Sequence, residues 1–260
     1  MLYKKKEKYT CGIIGYPLKN PRSIKIWKKY FKEHKINSDM VAFNIKPRFF
    51  LNFLNNIKKK ENFLAMAVTM PYKKKIIKFL DNVDNFAEKT NSVNLVLKKQ
   101  NKLIGFNTDI FGANECFKKI IKNYEKIIII GIGGTGQAIF NYLFSTYKKK
   151  KFILVSKKFK FKSRRVKIIK NLNKKILNKK SFIFNCSPLG SNLKKEYLNR
   201  YPIQKSFLKE ISKKIFVFDV IYSPKSTIFL KECNNLKIKN MNGLKMNTLQ
   251  AEQALKIIFK

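Results

Sequence analysis

Residues Ile127-Ile128-Ile129-Ile130-Gly131-Ile132-Gly133-Gly134-Thr135-Gly136-Gln137-Ala138 decide the fold of this chain. Four isoleucines form the short apolar run expected of a buried parallel strand. Gly-x-Gly-x-x-Gly follows at once, and Gln137-Ala138-Ile139-Phe140 opens a helical pattern. A strand that turns through this spacing into a helix can present backbone N–H groups to a phosphate. The segment therefore predicts a dinucleotide site built on Gly131, Gly133, Gly134, Thr135, Gly136 and Gln137. Such turns also occur where strand and helix merely pack closely, so the reading leans on the strand before and the helix after.

Working outward, Lys126 to Gly131, Phe152 to Ser156, Ser181 to Asn185 and Ile215 to Val220 read as strands, with a helix over Gln137 to Tyr147. This β-α-β alternation predicts a doubly wound parallel sheet. Phe159 to Lys180 has too weak a pattern to place. Asn242 to Phe259 reads as a final helix. Upstream, Tyr9 to Ile14, Asp39 to Ile45 and Leu64 to Val68 are strand-like. Ser23 to Lys35, Arg48 to Lys58 and Lys73 to Phe79 have helical spacing. Val93 to Lys98 and Lys102 to Phe106 flank Lys99-Gln100-Asn101 as a hairpin, and Asp109 to Asn123 reads as one long helix. The class is α/β with two domains: residues 1–108, completed by the helix 241–260, and a Rossmann-like domain over 109–240. The active site is expected in the cleft between them.

The chain has 260 residues and a formal net charge of +43, from 58 Lys and Arg against 15 Asp and Glu. Such a charge points to nucleic acid or another anionic surface, but its distribution argues otherwise. Lysines occur throughout, at Lys4 to Lys6, Lys58 to Lys60, Lys73 to Lys75, Lys148 to Lys151 and Lys213-Lys214. Arginine, the better reader of base edges, is scarce. Lys, Asn, Ile and Phe share AT-rich codons, so compositional drift accounts for the charge, and no specific nucleic-acid partner is expected. Cys11, Cys116, Cys186 and Cys233 are far apart, with no C-x-x-C, which predicts reduced thiols and no metal site. His34 is the only histidine and sits among lysines. No apolar run is long enough to span a membrane, and the charged start Met1 to Lys8 does not read as a signal peptide. A cytoplasmic protein is expected.

Two segments carry chemistry. Val68-Thr69-Met70-Pro71-Tyr72-Lys73 ends a strand and sets a Thr and a Lys four residues apart at a helix start. Gly105-Phe106-Asn107-Thr108-Asp109 places an acid just before a helix. A Lys beside an Asp is a proton-transfer pair suited to carbonyl/alcohol interconversion. Among so many lysines Lys73 reads more readily as a solvated charge, and an N-cap role explains Asp109 about as well.

The ordered motifs resemble the shikimate dehydrogenase family along most of the chain. Gly15-Tyr16-Pro17-Leu18, with Ser23 beyond it, resembles the family's opening turn, and Val68 to Lys73 its N-V-T-x-P-[FY]-K segment. Ser92-Val93-Asn94 resembles A-V-N, and Gly105 to Asp109 resembles G-x-N-T-D. Asn185-Cys186-Ser187-Pro188-Leu189-Gly190 resembles N-x-[TS]-P-x-G, and Asp219 to Thr227 resembles D-x-x-Y-x-P-x-x-T. Asn242-Gly243-Leu244 with Met246 and Gln250 resembles the closing G-x-x-M-x-x-x-Q.

The resemblance implies a substrate domain followed by an NADP domain, and reduction of 3-dehydroshikimate to shikimate with NADPH on the route to chorismate and the aromatic amino acids. It implies Lys73 and Asp109 as the catalytic pair. Ser23, Thr69, Lys73, Asn94, Asp109, Tyr222 and Gln250 would surround the substrate. Ser187, Val220 and Gly243 would join the glycine turn at the cofactor, in a monomer or homodimer. From the residues alone, Ser23 reads also as an N-cap, Asn94 as a turn residue, Tyr222 as core and Gln250 as surface. The second strand of the dinucleotide unit ends in Ser156-Lys157-Lys158, cations where NAD enzymes carry an acid, which suits the 2′-phosphate of NADP.

The chain departs from the family pattern at several positions. Asn20-Pro21-Arg22-Ser23-Ile24 stands where the family has H-S-x-S-P, so Pro21 replaces a substrate serine. Ala67 stands for the asparagine before V-T, Lys245 for a glycine, and Ser156 to Lys158 for Asn-Arg-Thr. Two other readings stay open: an NAD-dependent quinate/shikimate dehydrogenase, and a decayed scaffold that binds polyanions.

Overall fold

Ser23, Trp27 and Phe31 recur every four residues along Arg22–Glu33 (α1), which gives that helix one buried stripe. The stripe packs on a mixed sheet of six strands: Tyr9–Gly15 (β1), Ser38–Asn44 (β2), Phe63–Val68 (β3), Asn82–Val83 (β4), Leu95–Lys99 (β5) and Lys102–Phe106 (β6). Their order is β2-β1-β3-β5-β6-β4. β1 runs parallel to β2 and β3, β4 runs parallel to β6, and β5 is antiparallel to both β3 and β6. The computed structural model describes residues 8–173, 176, 180–211 and 214–259. Lys4 to Lys6, Lys213, most of Met1 to Lys8 and part of Phe159 to Lys180 lie outside the described residues.

The chain divides into two compact units, one running to Gly112 and resumed from Thr248, the other Ala113–Asn247. In the first, one sheet face carries Cys11, Ile13, Leu95 and Leu97 against Trp27 and Phe31. Ala251, Ala254, Leu255 and Ile258 of the closing helix Leu244–Phe259 fill the same core. On the other face Phe50, Leu54 and Ile57 of Phe50–Lys59 (α2) pack with Ile14, Met66, Val68 and Tyr72.

The second unit holds Lys126–Ile130 (β7), Lys151–Val155 (β8), Val166–Ile169 (β9), Ser181–Asn185 (β10), Ile215–Asp219 (β11) and Lys239–Asn242 (β12). All run parallel, in the order β12-β11-β10-β7-β8-β9. From β7 the chain moves outward to β9, then returns to the opposite side of β7 as β10. The direction of winding therefore reverses between β7 and β10, where open α/β sheets form a crevice at their carboxyl ends. One face is aliphatic, with Ile128, Ile130, Ile183 and Val217 against Phe229 and Leu230. The other is aromatic. Phe117 makes ring contacts with Phe182, Phe184 and Phe218, while Tyr124 meets Phe182 and Phe216.

The unplaced stretch from Phe159 supplies β9 as an edge strand. It is anchored by Phe161 on Phe140, with ring centroids 5.0 Å apart, and by Arg165 over Phe144 at 4.0 Å. The Arg165 guanidinium donates to the carbonyls of Phe144 and Tyr147, capping the end of the helix Gly134–Thr146. The helix expected over Asp109 to Asn123 ends at Phe117. Tighter Phe117–Ile120 and Ile120–Asn123 bonds then bring Ile121 into the core before β7. Likewise Lys73 to Phe79 is one α-turn, Tyr72–Lys75, followed by a 3-10 turn, Ile76–Phe79. Among the described residues no helix is long and apolar enough to cross a membrane.

Candidate active site

In the first unit the carboxyl ends of β1 and β3 and the neighbouring ends of β5 and β6 collect the polar residues. Tyr16 N–H donates to Met70 O, Thr69 N–H to Ile14 O, Val68 N–H to Asn94 O, and Asn94 N–H to Phe106 O. Gly15 is required here, because a Cβ on it would sit 2.5 Å from Thr69 Cγ2. These bonds set the turns bearing Thr69 and Lys73, Asn94 and Asp109 along one edge of the sheet.

Lys73 Nζ donates to Asp109 Oδ2 at 2.5 Å, and the two side chains are only 20% and 13% exposed. That separates Lys73 from the solvated lysines of the surface. Asn94 Nδ2 lies 3.0 Å from Asp109 Oδ1, so both carboxylate oxygens are held. Asn94 Nδ2 also reaches Thr108 Oγ1 at 2.9 Å and Gln250 Oε1 at 3.2 Å, while Asn94 Oδ1 accepts from the Thr108 N–H at 2.6 Å. Thr108 Oγ1 lies 3.3 Å from Gln250 Oε1. Asn94 is thus no mere turn residue, and Gln250 is drawn into the network. Asp109 is not the N-cap, since Asn107 Oδ1 takes the Ile110 N–H at 3.4 Å. Asn107 is itself fixed through Nδ2 to Thr90 Oγ1 and Ser92 O, at 2.8 and 2.9 Å. Spacing alone singles out neither Thr108 nor Asn107, although both stand inside the Gly105 to Asp109 motif.

Ser23 lies at the same edge, on the first turn of α1. The N-cap there is Pro21, and Ser23 Oγ is buried without a hydrogen-bond partner among the described residues. His34, at the far end of α1, is exposed. It stacks on Tyr30 with centroids 3.9 Å apart. Cys11 and Cys233 are buried, which pushes their thiols up to about 11 and about 12, so neither serves as a thiolate at neutral pH.

In the second unit the glycine turn joins β7 to the helix Gly134–Thr146. Gly131 has φ +86, and a Cβ there would lie 2.7 Å from Ser187 N. A Cβ on Gly136 would lie 2.0 Å from Gly131 O, whereas at Gly133 and Gly134 nothing lies within 4 Å. The first and third glycines of the motif are therefore demanded by packing, and the second faces open space. The helix has Gly133 as N-cap with no side-chain cap, leaving its first N–H groups to a ligand. Gln137 belongs to this turn through its N–H to Gly133 O. Ser187 stands across the winding reversal from Gly131. Gly243 packs on Val220, where a Cβ would meet Val220 O at 2.0 Å. After β8, Ser156 Oγ accepts from the Lys158 and Phe159 N–H groups, and the Lys157 and Lys158 side chains are exposed. Tyr222 is 36% exposed, not core. Among the described residues no cluster of His, Cys, Asp or Glu could hold a metal ion.

A buried carboxylate shapes the loops after β10 and β11. Asp219 Oδ1 accepts from Asn185 Nδ2 and the Ile221 N–H, and Oδ2 accepts from Thr227 Oγ1 at 2.8 Å. Asn185 Oδ1 in turn accepts from Ser187 N–H and Oγ. Burial pushes the Asp219 carboxyl from 3.8 up to about 6, against the lowering by these bonds. The folded state then binds the extra proton between those values. Its stability falls as pH rises through that window and is level above it. Denaturant unfolding of wild type, relative to Asp219→Asn, is expected to lose on the order of 3 kcal/mol between pH 4 and pH 7. A pH-independent difference would refute this.

A family model for the shikimate dehydrogenase substrate binding domain matches residues 13–96. The chain is 33% identical over 256 residues to the shikimate dehydrogenase (NADP(+)) of Clostridium botulinum strain Hall, covering 95% of each. Shikimate dehydrogenase 1 from Peptoclostridium difficile superposes with a TM-score of 0.81 at 28% identity, covering 96% of this chain and 91% of that one. A shikimate dehydrogenase solved in complex with NADP+ gives 0.80 at 25% identity, covering 97% and 90%. With the same fold, and with identity at this level along nearly the whole length, the chain belongs to the shikimate dehydrogenase family.

Proposed function

We propose that the protein reduces 3-dehydroshikimate to shikimate with NADPH, in the shikimate pathway. The observation that carries this reading is the half-buried Lys73–Asp109 ion pair, locked by Asn94 beside Thr108 and Gln250. An ammonium has three N–H donors, and the bond to Asp109 uses one. Lys73 then donates a hydrogen bond to the substrate's ring carbonyl oxygen and passes it a proton as the alkoxide develops. Asp109 holds the ammonium in place. The neutral groups of Ser23, Thr69, Asn94, Tyr222 and Gln250 suit a small polyol acid, because an unpaired buried hydroxyl is unfavourable.

The cofactor fits the residues present. The uncapped N-terminus and the open space at Gly133 admit a pyrophosphate, and Lys157 and Lys158 suit a 2′-phosphate. Gly131, Gly133, Gly134, Thr135, Gly136, Gln137, Ser156, Ser187, Val220 and Gly243 would hold the group. When bound, NADPH supplies the hydride for the carbonyl carbon.

The test is loss of NADPH absorbance with purified protein and 3-dehydroshikimate, run beside NADH and the quinate-series substrate. Saturable turnover that disappears in Asp109→Ala is expected; folded protein that binds NADPH without turnover would overturn the reading. Replacing both Lys157 and Lys158 by alanine is expected to raise the NADPH Kd about tenfold and leave NADH binding unchanged in calorimetry. An equal loss for both nucleotides would remove these lysines from 2′-phosphate recognition.

A further inference from the structure

We propose that Thr90 is a positioning residue for the Lys73–Asp109 pair: its hydroxyl fixes the side-chain amide of Asn107, and Asn107 fixes the turn that aims Asp109 at Lys73. The proposal rests on the shikimate reading above and deepens it. Thr90 closes the short helix Asn85–Thr90 and is 1% exposed. Its Oγ1 donates its single proton to Phe86 O at 2.6 Å, the back-bond a threonine makes to the carbonyl four residues earlier. The lone pairs of that oxygen are then left to Asn107 Nδ2, which donates to it at 2.8 Å.

The second amide proton of Asn107 goes to Ser92 O at 2.9 Å, and its Oδ1 accepts from the Ile110 N–H. The Asn107 N–H is taken by the carboxylate of Asp84, which also caps the Thr90 helix through the Ala87 N–H at 2.7 Å. Asn107 is 3% exposed, so these bonds are shielded from water. The next two residues are Thr108 and Asp109. Two residues beyond Ser92 stands Asn94, which grips Asp109 Oδ1 and the Thr108 N–H. The segment from Thr90 to Asn94 therefore holds the Asp109 turn at two points, through Asn107 and through Asn94. Without the Thr90 hydroxyl one Asn107 N–H would be buried with no acceptor, which is unfavourable. The amide would turn or shift, and the Asp109 turn with it. Proton transfer tolerates little of this, since a misplacement of about 1 Å can cost about a hundredfold in rate.

The experiment measures single turnover of 3-dehydroshikimate with saturating NADPH in wild type, Thr90→Val, Thr90→Ala and Thr90→Ser. Thr90→Val and Thr90→Ala are also each placed on Lys73→Ala. Circular dichroism and urea midpoints verify the fold. Valine keeps the shape of threonine without the hydroxyl; if its methyl is too large beside Asn107, the alanine variant carries the test. The rate is expected to fall roughly tenfold in both, with KM changed less than about twofold. Thr90→Ser restores most of the rate, because it returns the oxygen. On Lys73→Ala the same substitutions are expected to cost nothing further, since residues that act as a unit are not additive. A merely structural hydroxyl would lower the urea midpoint and leave the rate of the folded enzyme alone. A wild-type rate in a folded Val or Ala variant, a loss confined to KM, or a tenfold loss that persists on Lys73→Ala would overturn the proposal. If wild type reduces 3-dehydroshikimate and both variants match it, only the Thr90 assignment fails. If wild type does not turn over, the function reading fails first and takes this assignment with it.

Discussion

Lys73→Ala is expected to lower kcat by roughly a hundred- to ten-thousandfold, the range over which a positioned general acid acts. Shikimate affinity should change far less. The asymmetry follows from the geometry. In the ground state the Lys73 ammonium is already paired at 2.5 Å with Asp109, so substrate binding gains little from it. Its contribution grows only as negative charge builds on the carbonyl oxygen. Removing Lys73 also leaves Asp109 with the Asn94 contact but no cation. Asp109→Asn is therefore a useful companion: it keeps the shape of the carboxylate and removes the charge that holds Lys73. Stopped-flow single-turnover rates separate this chemistry from product release. An unchanged single-turnover rate in Lys73→Ala would remove Lys73 from the mechanism.

Gly136→Ala and Gly133→Ala are expected to fail in different ways, although only two residues lie between them. At Gly136 the new methyl would stand 2.0 Å from Gly131 O, and Gly131 is itself pinned against Ser187 with φ +86. Neither backbone can yield without parting β7 from its helix. A loss of about 3 kcal/mol or more in the unliganded protein is expected, visible as a lower urea midpoint. At Gly133 the methyl meets nothing within 4 Å. The unliganded protein should lose less than about 1 kcal/mol, the scale of an N-cap change. Its NADPH Kd should nonetheless rise at least about tenfold, because the backbone must approach the pyrophosphate there. Equal destabilisation by the two substitutions would mean that the motif serves only strand-helix packing.

The glycine motif could be read from sequence because each of its constraints is local: an apolar strand, a tight turn, a helix start. The Lys73–Asp109 pairing follows from the ordered motifs and their resemblance to the family; spacing alone leaves Lys73 readable as a solvated lysine and Asp109 as an N-cap. The roles of Thr108 and Asn107 were not legible. They depend on which neighbour each side chain meets, Gln250 and Asn94 for one, Thr90 and Ser92 for the other, and spacing along the chain does not contain that information. β9 and β12 escaped for a different reason. As edge strands they are only partly buried, and their lysines and asparagines interrupt the apolar alternation that marks a strand. The broken helix after Phe117 shows packing overriding propensity, as Ile121 turns inward where a regular helix would have continued.

The closing helix has a consequence for how the protein is made. Ala251, Ala254, Leu255 and Ile258 belong to the core around Trp27 and Phe31, and Gln250 completes the network around Asn94. Translation reaches these residues only after every strand of the parallel sheet has been synthesised. Until the closing helix is made, that face of the first sheet has only the Trp27 and Phe31 stripe of α1 against it. Domains ordinarily fold in the order of their synthesis. Here the parallel-sheet half can finish first, and the Asn94–Thr108–Gln250 network forms only in chains translated through that helix.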